Sequence, residues 1–313
     1  MLVRDLILKE FIRNGYSRKG KRREWVITNP TLLFSTSELA NAYMKFTHFK
    51  AYHSAVIAPE LGLIKKNSEM FRRIIDNTPF NLIDMSSVTG EHAAAFLEIF
   101  KHDDVKIRYC PVGMHPSLCK KSALLVRSGK FKNVASYKLE TSPFENLTSL
   151  PSTLRSSKFQ KNVMMIMGSV LASFELSDFL FHMNNNMFWG DVLVMGNGIR
   201  KGQRLVNLQT YRHPAFNSWF IHIMKELGFN EREVRYDARF GNKRIECFYT
   251  ILADKTLNYS GRKIEFKKGD EILVAVIYKY YERELRKLCR MYFSRVDFIK
   301  DEKGEYALMV CRK

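Results

Sequence analysis

The chain has 313 residues, 46% hydrophobic and 27% charged, a globular composition that excludes a disordered or low-complexity protein. Lysine and arginine outnumber the acids by 51 to 32, giving a formal charge of +19 and a pI near 9.7. Such an excess suits an anionic partner such as RNA, anionic lipid or an acidic protein; the alternative is a basic surface spread evenly over solvated faces.

No apolar run approaches the roughly 18 residues of a membrane span. Cys110, Cys119, Cys247, Cys289 and Cys311 show neither CxxC nor Cys/His metal spacing. They read as reduced, buried thiols of a cytoplasmic protein without a metal. The N-terminus has an amphipathic segment and then a basic cluster, Arg18–Arg23, without the apolar core or cleavage site of a secretory signal. It reads as a helix followed by a solvated basic loop, with a nucleic-acid or membrane-surface contact as the alternative.

Residues 1–78 are predicted to be helical, with periodic apolar positions in Glu38–Phe49 and Ser68–Asp76. From about residue 80 the pattern alternates. Strands are predicted at Phe80–Met85, Val105–Val112, Phe131–Leu139, Asn162–Met167 and Asp191–Asn197. Helices fit at Glu91–Lys101, Pro116–Arg127, Glu175–Phe188 and Pro214–Leu227. This alternation implies a mostly parallel sheet covered on both faces, in residues 79–229. Glu233–Phe240, Arg244–Ala253 and Lys263–Val276 are strand-like, so 230–276 reads as an inserted β-rich subdomain. Residues 277–313 supply a helix and an antiparallel hairpin turned at Gly304. Five parallel units closed by an antiparallel pair form the strand succession of a class I methyltransferase-like, Rossmann-like α/β fold.

Three stretches sharpen that expectation: "ARFGNKRIECFYTIL", "IEFKKGDEILVAVIYKY" and "MIMGSVLASFE". Together they resemble the histidine-specific S-adenosylmethionine-dependent methyltransferases of the ergothioneine-pathway type, over roughly residues 45–313. The resemblance implies S-adenosylmethionine as cofactor, seated at the turn "DMSSVTG". Asp84 and Gly90 fit the ends of the family's glycine-rich loop, while Ser86 and Val88 stand where glycines are expected. A β-branched residue there resists the tight turn and fills space near the cofactor. In "YCPVGMHPS", Tyr109 and Pro111 match the family, but Gly113 replaces the acid that holds the ribose hydroxyls; His115 offers a neutral hydrogen bond instead. After the third strand, where the resemblance implies an acid that meets the adenine amino group, Glu140 and Glu145 are the candidates, in shifted register. Gly168 belongs to the glycine motif after the fourth.

On the substrate side, the resemblance implies roles for Ser173, Glu246 and Lys279. Ser173 stands for the family's Asn, Glu246 matches the Glu that meets the imidazole, and Lys279 matches the "K-Y" pair. Phe248 and Ile277 replace hydroxyl-bearing residues, which argues against histidine itself as substrate. Tyr211 and Asn217 lie in "TYRHPAFNSWF", expected near the pocket mouth.

Blander readings stand beside these. Asp84 and Gly90 also suit an ordinary strand-to-helix turn. Glu246 also suits an ion pair on an exposed strand. Tyr211 also suits a helix entry before Pro214. The aromatics of "IYKYYEREL" suit either packing or base stacking. The leading expectation is N-methylation of an amino-acid-like or peptide substrate, a reaction that needs alignment more than acid–base groups. The alternative is a catalytically inactive protein of this fold that binds RNA or a protein.

Overall fold

The computed structural model describes residues 3–20, 22–86, 88–201 and 208–313. The first strands are β1 (Tyr16–Lys19), β2 (Arg22–Val26), β3 (Phe80–Asp84), β4 (Ile107–Gly113), β5 (Val134–Tyr137) and β6 (Glu140–Thr141). There follow β7 (Lys161–Ile166), β8 (Val192–Arg200), β9 (Val234–Gly241), β10 (Arg244–Ile251), β11 (Lys255–Tyr259) and β12 (Arg262–Phe266). The last are β13 (Glu271–Tyr278), β14 (Tyr280–Tyr281), β15 (Arg295–Lys300) and β16 (Tyr306–Arg312). The first helices are α1 (Val3–Asn14), α2 (Ser37–Thr47), α3 (Lys50–Tyr52), α4 (Ala58–Lys66), α5 (Ser68–Ile75) and α6 (Glu91–Ile99). Then come α7 (Pro116–Ser128), α8 (Leu150–Leu154), α9 (Leu176–Asn186), α10 (Leu208–Arg212), α11 (Pro214–Glu226) and α12 (Glu282–Tyr292). The chain divides into two units: Lys50–Gly202 with Lys279–Lys313, and Met1–Phe49 with Gln203–Tyr278.

In the α/β unit the main sheet runs β15-β16-β8-β7-β3-β4-β5, with β6 beside β4 and β14 beside β8. β3, β4, β5, β7 and β8 are parallel, while β16 is antiparallel to β8 and β15 to β16. The chain starts mid-sheet at β3, builds outward to β5, then returns to place β7 on the other side of β3. That reversal creates a switch point between β3 and β7, where ligands of open α/β sheets bind at the carboxyl ends. This is the class I methyltransferase-like fold.

Every residue of β3 is buried, as a central strand covered on both faces requires. Ala93, Phe96 and Leu97 of α6 are buried in the same core, with Phe96 packed on Phe71 of α5 at 5.1 Å between ring centroids. Leu63, Ile64, Phe71 and Ile75 join that core as well. The unit therefore begins at Lys50, ahead of the expected limit at residue 79, because these preceding helices bury their apolar faces with the sheet's residues.

The β-rich unit is built on the sheet β1-β2-β13-β10-β9, with β11 and β12 forming a separate hairpin. Residues 16–26 depart from the helical reading of 1–78. Gly20, at φ +64°, stands between β1 and β2, and β2 pairs parallel to β13. Trp25 explains the strand: it is buried against Phe11 at 5.3 Å and Phe266 at 5.0 Å. Nor do the described residues of the basic cluster form a loop; Lys21 lies outside them. Lys19 pairs with Glu24 at 2.7 Å, Arg22 with Glu271 at 3.0 Å and Arg23 with Asp270 at 2.5 Å. The expected single segment Lys263–Val276 breaks into β12 and β13 at Gly269, whose φ is +91°. Helices α2 and α11 meet through Trp219, 4.6 Å from Tyr43, its indole N–H donating to the Leu33 carbonyl at 3.1 Å.

Candidate functional site

Side-chain hydrogen bonds tie together the turns at the switch point. Asp84 ends β3 and is almost fully buried; its Oδ2 accepts from the Tyr109 hydroxyl at 3.1 Å and its Oδ1 from the Ser86 N–H at 3.4 Å. Ser86 turns its Oγ towards β7 and accepts the Met167 N–H at 2.8 Å. That contact joins the turn after β3 to the turn after β7. Gly90 has φ +83°, and a Cβ there would lie 2.7 Å from Ser122 Oγ and 2.8 Å from the Ser122 carbonyl. Glycine is needed because α6 starts against α7. Gly90 also leaves the α6 N-terminus without a side-chain cap from its cap residue; Thr89 Oγ1 accepts the Glu91 N–H at 3.5 Å.

Gly113 is the buried last residue of β4, paired with Thr141 of β6, and its carbonyl accepts the Ser142 N–H at 3.2 Å. His115 caps α7: its Nδ1 accepts the Ser117 N–H at 3.3 Å and lies 2.8 Å from Ser117 Oγ. Gly168 follows β7 at φ +67°. Its N–H meets both carboxylate oxygens of Glu60, at 3.0 and 2.9 Å, and its carbonyl accepts the Tyr52 hydroxyl at 2.6 Å.

Glu60 is the buried centre of this cluster. Oε1 also accepts the Tyr306 hydroxyl at 2.5 Å, and His92 Nε2 lies 2.7 Å from Oε2, off the line of an aligned hydrogen bond. A Cβ on Gly196 of β8 would come within 2.1 Å of Glu60 Oε1, so the carboxylate occupies the space that this glycine leaves. For His92, burial opposes the charged form, but the Glu60 carboxylate outweighs it and raises the imidazole pKa. Burial likewise pushes the Tyr306 hydroxyl well above its ordinary range.

The other expected residues fall on both units. Ser173 is half-buried at the end of the short helix Val170–Ser173, and Lys279 is half-buried between β13 and β14; both belong to the α/β unit. Tyr211, Asn217 and Glu246 belong to the β-rich unit. Tyr211 lies in α10, its carbonyl accepting the Tyr236 hydroxyl at 2.8 Å. Asn217 Oδ1 accepts the Tyr249 hydroxyl at 2.8 Å.

Glu246 is buried on β10 in a charge cluster spanning four strands. Arg239 Nε donates to its Oε2 at 2.8 Å, and Arg244 Nη2 to its Oε1 at 3.0 Å. The same Arg239 guanidinium donates to Glu271 at 2.5 Å and to Glu24. Its face also lies 4.5 Å from the Phe248 ring centroid. Burial alone would raise the Glu246 pKa, but the hydrogen bonds from Arg239 and Arg244 outweigh it and hold the carboxyl below its usual range. All five cysteines are buried and none forms a disulfide, and burial pushes the Cys110 and Cys119 thiols up to about 11.

The family model described as histidine-specific methyltransferase, SAM-dependent, matches residues 12–313. The chain belongs to that family. The family's cofactor is S-adenosylmethionine. Similar solved structures include an S-adenosylmethionine-dependent methyltransferase from Clostridium acetobutylicum, at 12% identity and TM-score 0.42, covering 80% of this chain and 90% of that one. A Pyrococcus horikoshii protein is similar at 8% identity and TM-score 0.46, covering 88% and 99%. Human N-acetylserotonin methyltransferase, solved in complex with SAM, is similar at 11% identity and TM-score 0.43, covering 91% and 59%. No curated protein matches the sequence.

In this histidine-specific methyltransferase relative, sequence reasoning missed Glu60, His92 and Tyr306 in one unit and Arg239, Glu24 and Glu271 in the other. Glu60 carried a signal: it precedes Leu63 and Ile64 by three and four residues, an acid on the buried face of a helix. Arg239 and Glu246 sit in facing register on β9 and β10. Glu24 and Glu271 face one another on β2 and β13, strands separated by most of the chain, so no local pattern joins them.

Proposed function

We propose that this methyltransferase-family chain moves the methyl group of S-adenosylmethionine to a nitrogen of an amino-acid-like or peptide substrate. The observation that carries the reading is the β3–β7 switch point, with Asp84, the α6 N-terminus and Gly168 gathered at adjoining carboxyl ends. Bound there, the cofactor supplies an electrophilic methyl on a sulfonium. The first-turn N–H groups of α6 suit its carboxylate, and the Asp84 carboxylate suits a donor. These residues fit the methionine end of the cofactor.

The ribose end fits differently, because β4 ends in Gly113 with no carboxylate. Glu140, paired with Val112 across β4 and β6, is the acid on this edge that we assign to the ribose hydroxyls. His115 adds a neutral group at the start of α7. Ser173 and Lys279 are the substrate-side candidates on the α/β unit, and Tyr211, Asn217 and Glu246 those on the β-rich unit. Glu246 suits a cationic group on the acceptor, in competition with Arg239 and Arg244, which engage both of its oxygens.

Calorimetric titration with S-adenosylmethionine tests the cofactor half, and label transfer from methyl-labelled cofactor to a panel of amino acids and peptides tests the substrate half. Saturable binding with labelled amine product is expected. Absence of cofactor binding at millimolar concentration overturns the proposal.

A further inference from the structure

We infer that the α/β unit carries a docking surface for anionic lipid membranes, formed by α12, α9 and the turn from α9 into β8. Helix α12 divides by face. Leu285 and Cys289 are buried, whereas Arg283, Lys287, Arg290 and Met291 are exposed at spacings of three and four residues. The acids of this helix are engaged with other groups. Glu282 holds Arg286 at 2.8 Å and Lys300 at 3.0 Å, and Glu284 accepts the Tyr281 N–H at 2.9 Å. Among the described residues Arg283, Lys287 and Arg290 form no ion pair, so the exposed face presents uncompensated positive charge.

Beside that charge lies an apolar rim. Met291 is 59% exposed, and on α9 Phe181 is 48% exposed with its ring 6.3 Å from that of Tyr292. Asn184 donates to the Tyr292 carbonyl at 2.6 Å, tying the ends of the two helices together. The Lys313 ammonium donates to the carbonyls of Asn184 and Met187, both at 2.7 Å, and forms no ion pair among the described residues. The chain then turns through Phe188, 46% exposed under the Arg155 guanidinium at 4.1 Å, and Trp189, 85% exposed. Four of the nine large hydrophobic residues exposed among the described residues therefore lie on these two helices and one turn.

Lipid is the occupant that this chemistry favours. A fully projecting Trp, with Phe and Met around it and cations alongside, suits the boundary between headgroups and acyl chains. These side chains project outward, so they insert individually into a soft surface. The turn at 187–191 precedes β8 and lies at the amino ends of the parallel strands, whereas the switch point lies at their carboxyl ends.

The test uses the full chain with phosphatidylcholine vesicles, with or without about 30 mol% phosphatidylserine, read by co-sedimentation and tryptophan emission. Trp25 and Trp219 are buried, so a blue shift reports Trp189. Binding and a blue shift are expected with the anionic vesicles only, weakening as salt is raised. Trp189→Ser should weaken binding about tenfold. Lys287→Gln and Arg290→Gln should each weaken it about fivefold. Unchanged thermal unfolding of these surface variants would show that folding is not the cause. No binding to anionic vesicles at low salt overturns the inference, as does binding indifferent to all three substitutions. Two other results also overturn it: a single-stranded RNA binding with this variant sensitivity while vesicles do not, or a dimer that Trp189→Ser dissolves.

Discussion

Glu60 in the α/β unit and Glu246 in the β-rich unit are both buried carboxylates, yet their surroundings differ in kind. Glu60 is met by a backbone N–H, a tyrosine hydroxyl and one histidine, contributed by the turn after β7, by β16 and by α6. Its charge is met by dipoles and by an imidazole whose pKa it raises. Glu246 shares the Arg239 guanidinium with Glu24 and Glu271, and Arg244, Arg22 and Lys19 complete the pairing. The first arrangement pins together elements around the switch point and stays responsive to protons. The second is a cross-strand lock whose three carboxylates share one guanidinium, each with a further cation beside it. Two equally buried acids are therefore held by different means, one by dipoles and an imidazole and the other by shared guanidinium charge.

The strongest way to break this contrast is Arg239→Ala, which leaves three buried carboxylates short of their common partner. A loss of about 3–5 kcal/mol in urea denaturation is expected. Hydrogen exchange should quicken in β9, β10 and β13; a loss below about 1 kcal/mol would show that Arg22, Arg244 and Lys19 suffice. Glu60→Gln should cost less, about 1–3 kcal/mol, because an amide keeps one acceptor but faces donors on every side. Its faster exchange should appear around residues 165–170 and leave β9–β13 untouched, and S-adenosylmethionine should bind more weakly.

The two sites should also respond to opposite ends of the pH scale. Glu246 has a folded pKa held below the ordinary 4.5, so its contribution is complete above that pH and drains away as the pH falls through the folded value. His92 has a folded pKa raised above 6.5, so its contribution is complete below that pH and is lost as the pH rises through the folded value. Denaturation midpoints across pH should show both slopes, with Glu246→Gln flattening only the acidic one and His92→Gln only the alkaline one. The smallest effect is expected from Gly113→Asp, which restores a carboxylate at the end of β4. It should tighten cofactor binding by about tenfold by calorimetry, and unchanged affinity would mean that the ribose is held elsewhere.

Much of the α/β unit was legible in the sequence. Phe80–Asp84 and Lys161–Ile166 are short apolar runs, and the alternation of such strands with amphipathic helices admits few topologies. Asp84, Gly90 and Gly168 were legible as a group because a strand-end acid and left-handed glycines recur at fixed offsets from the strands. The hairpin at Tyr16–Val26 was not, since its basic residues look solvated until Glu24, Asp270 and Glu271 face them. Gly196 shows the same limit: its lack of a side chain has a reason only once Glu60 occupies the space above it.

The amino-acid sequence by itself determined the order of elements, the parallel sheet with its terminal antiparallel pair, and the family, because those follow from local periodicity and from motifs a few residues long. Only the tertiary structure decided which charges meet. Glu60 is completed by Tyr306, 246 positions along the chain, and Arg239 by Glu24, 215 positions away. Contacts of that span are created by strand order and helix packing, and electrostatic partnership depends on distance in space alone.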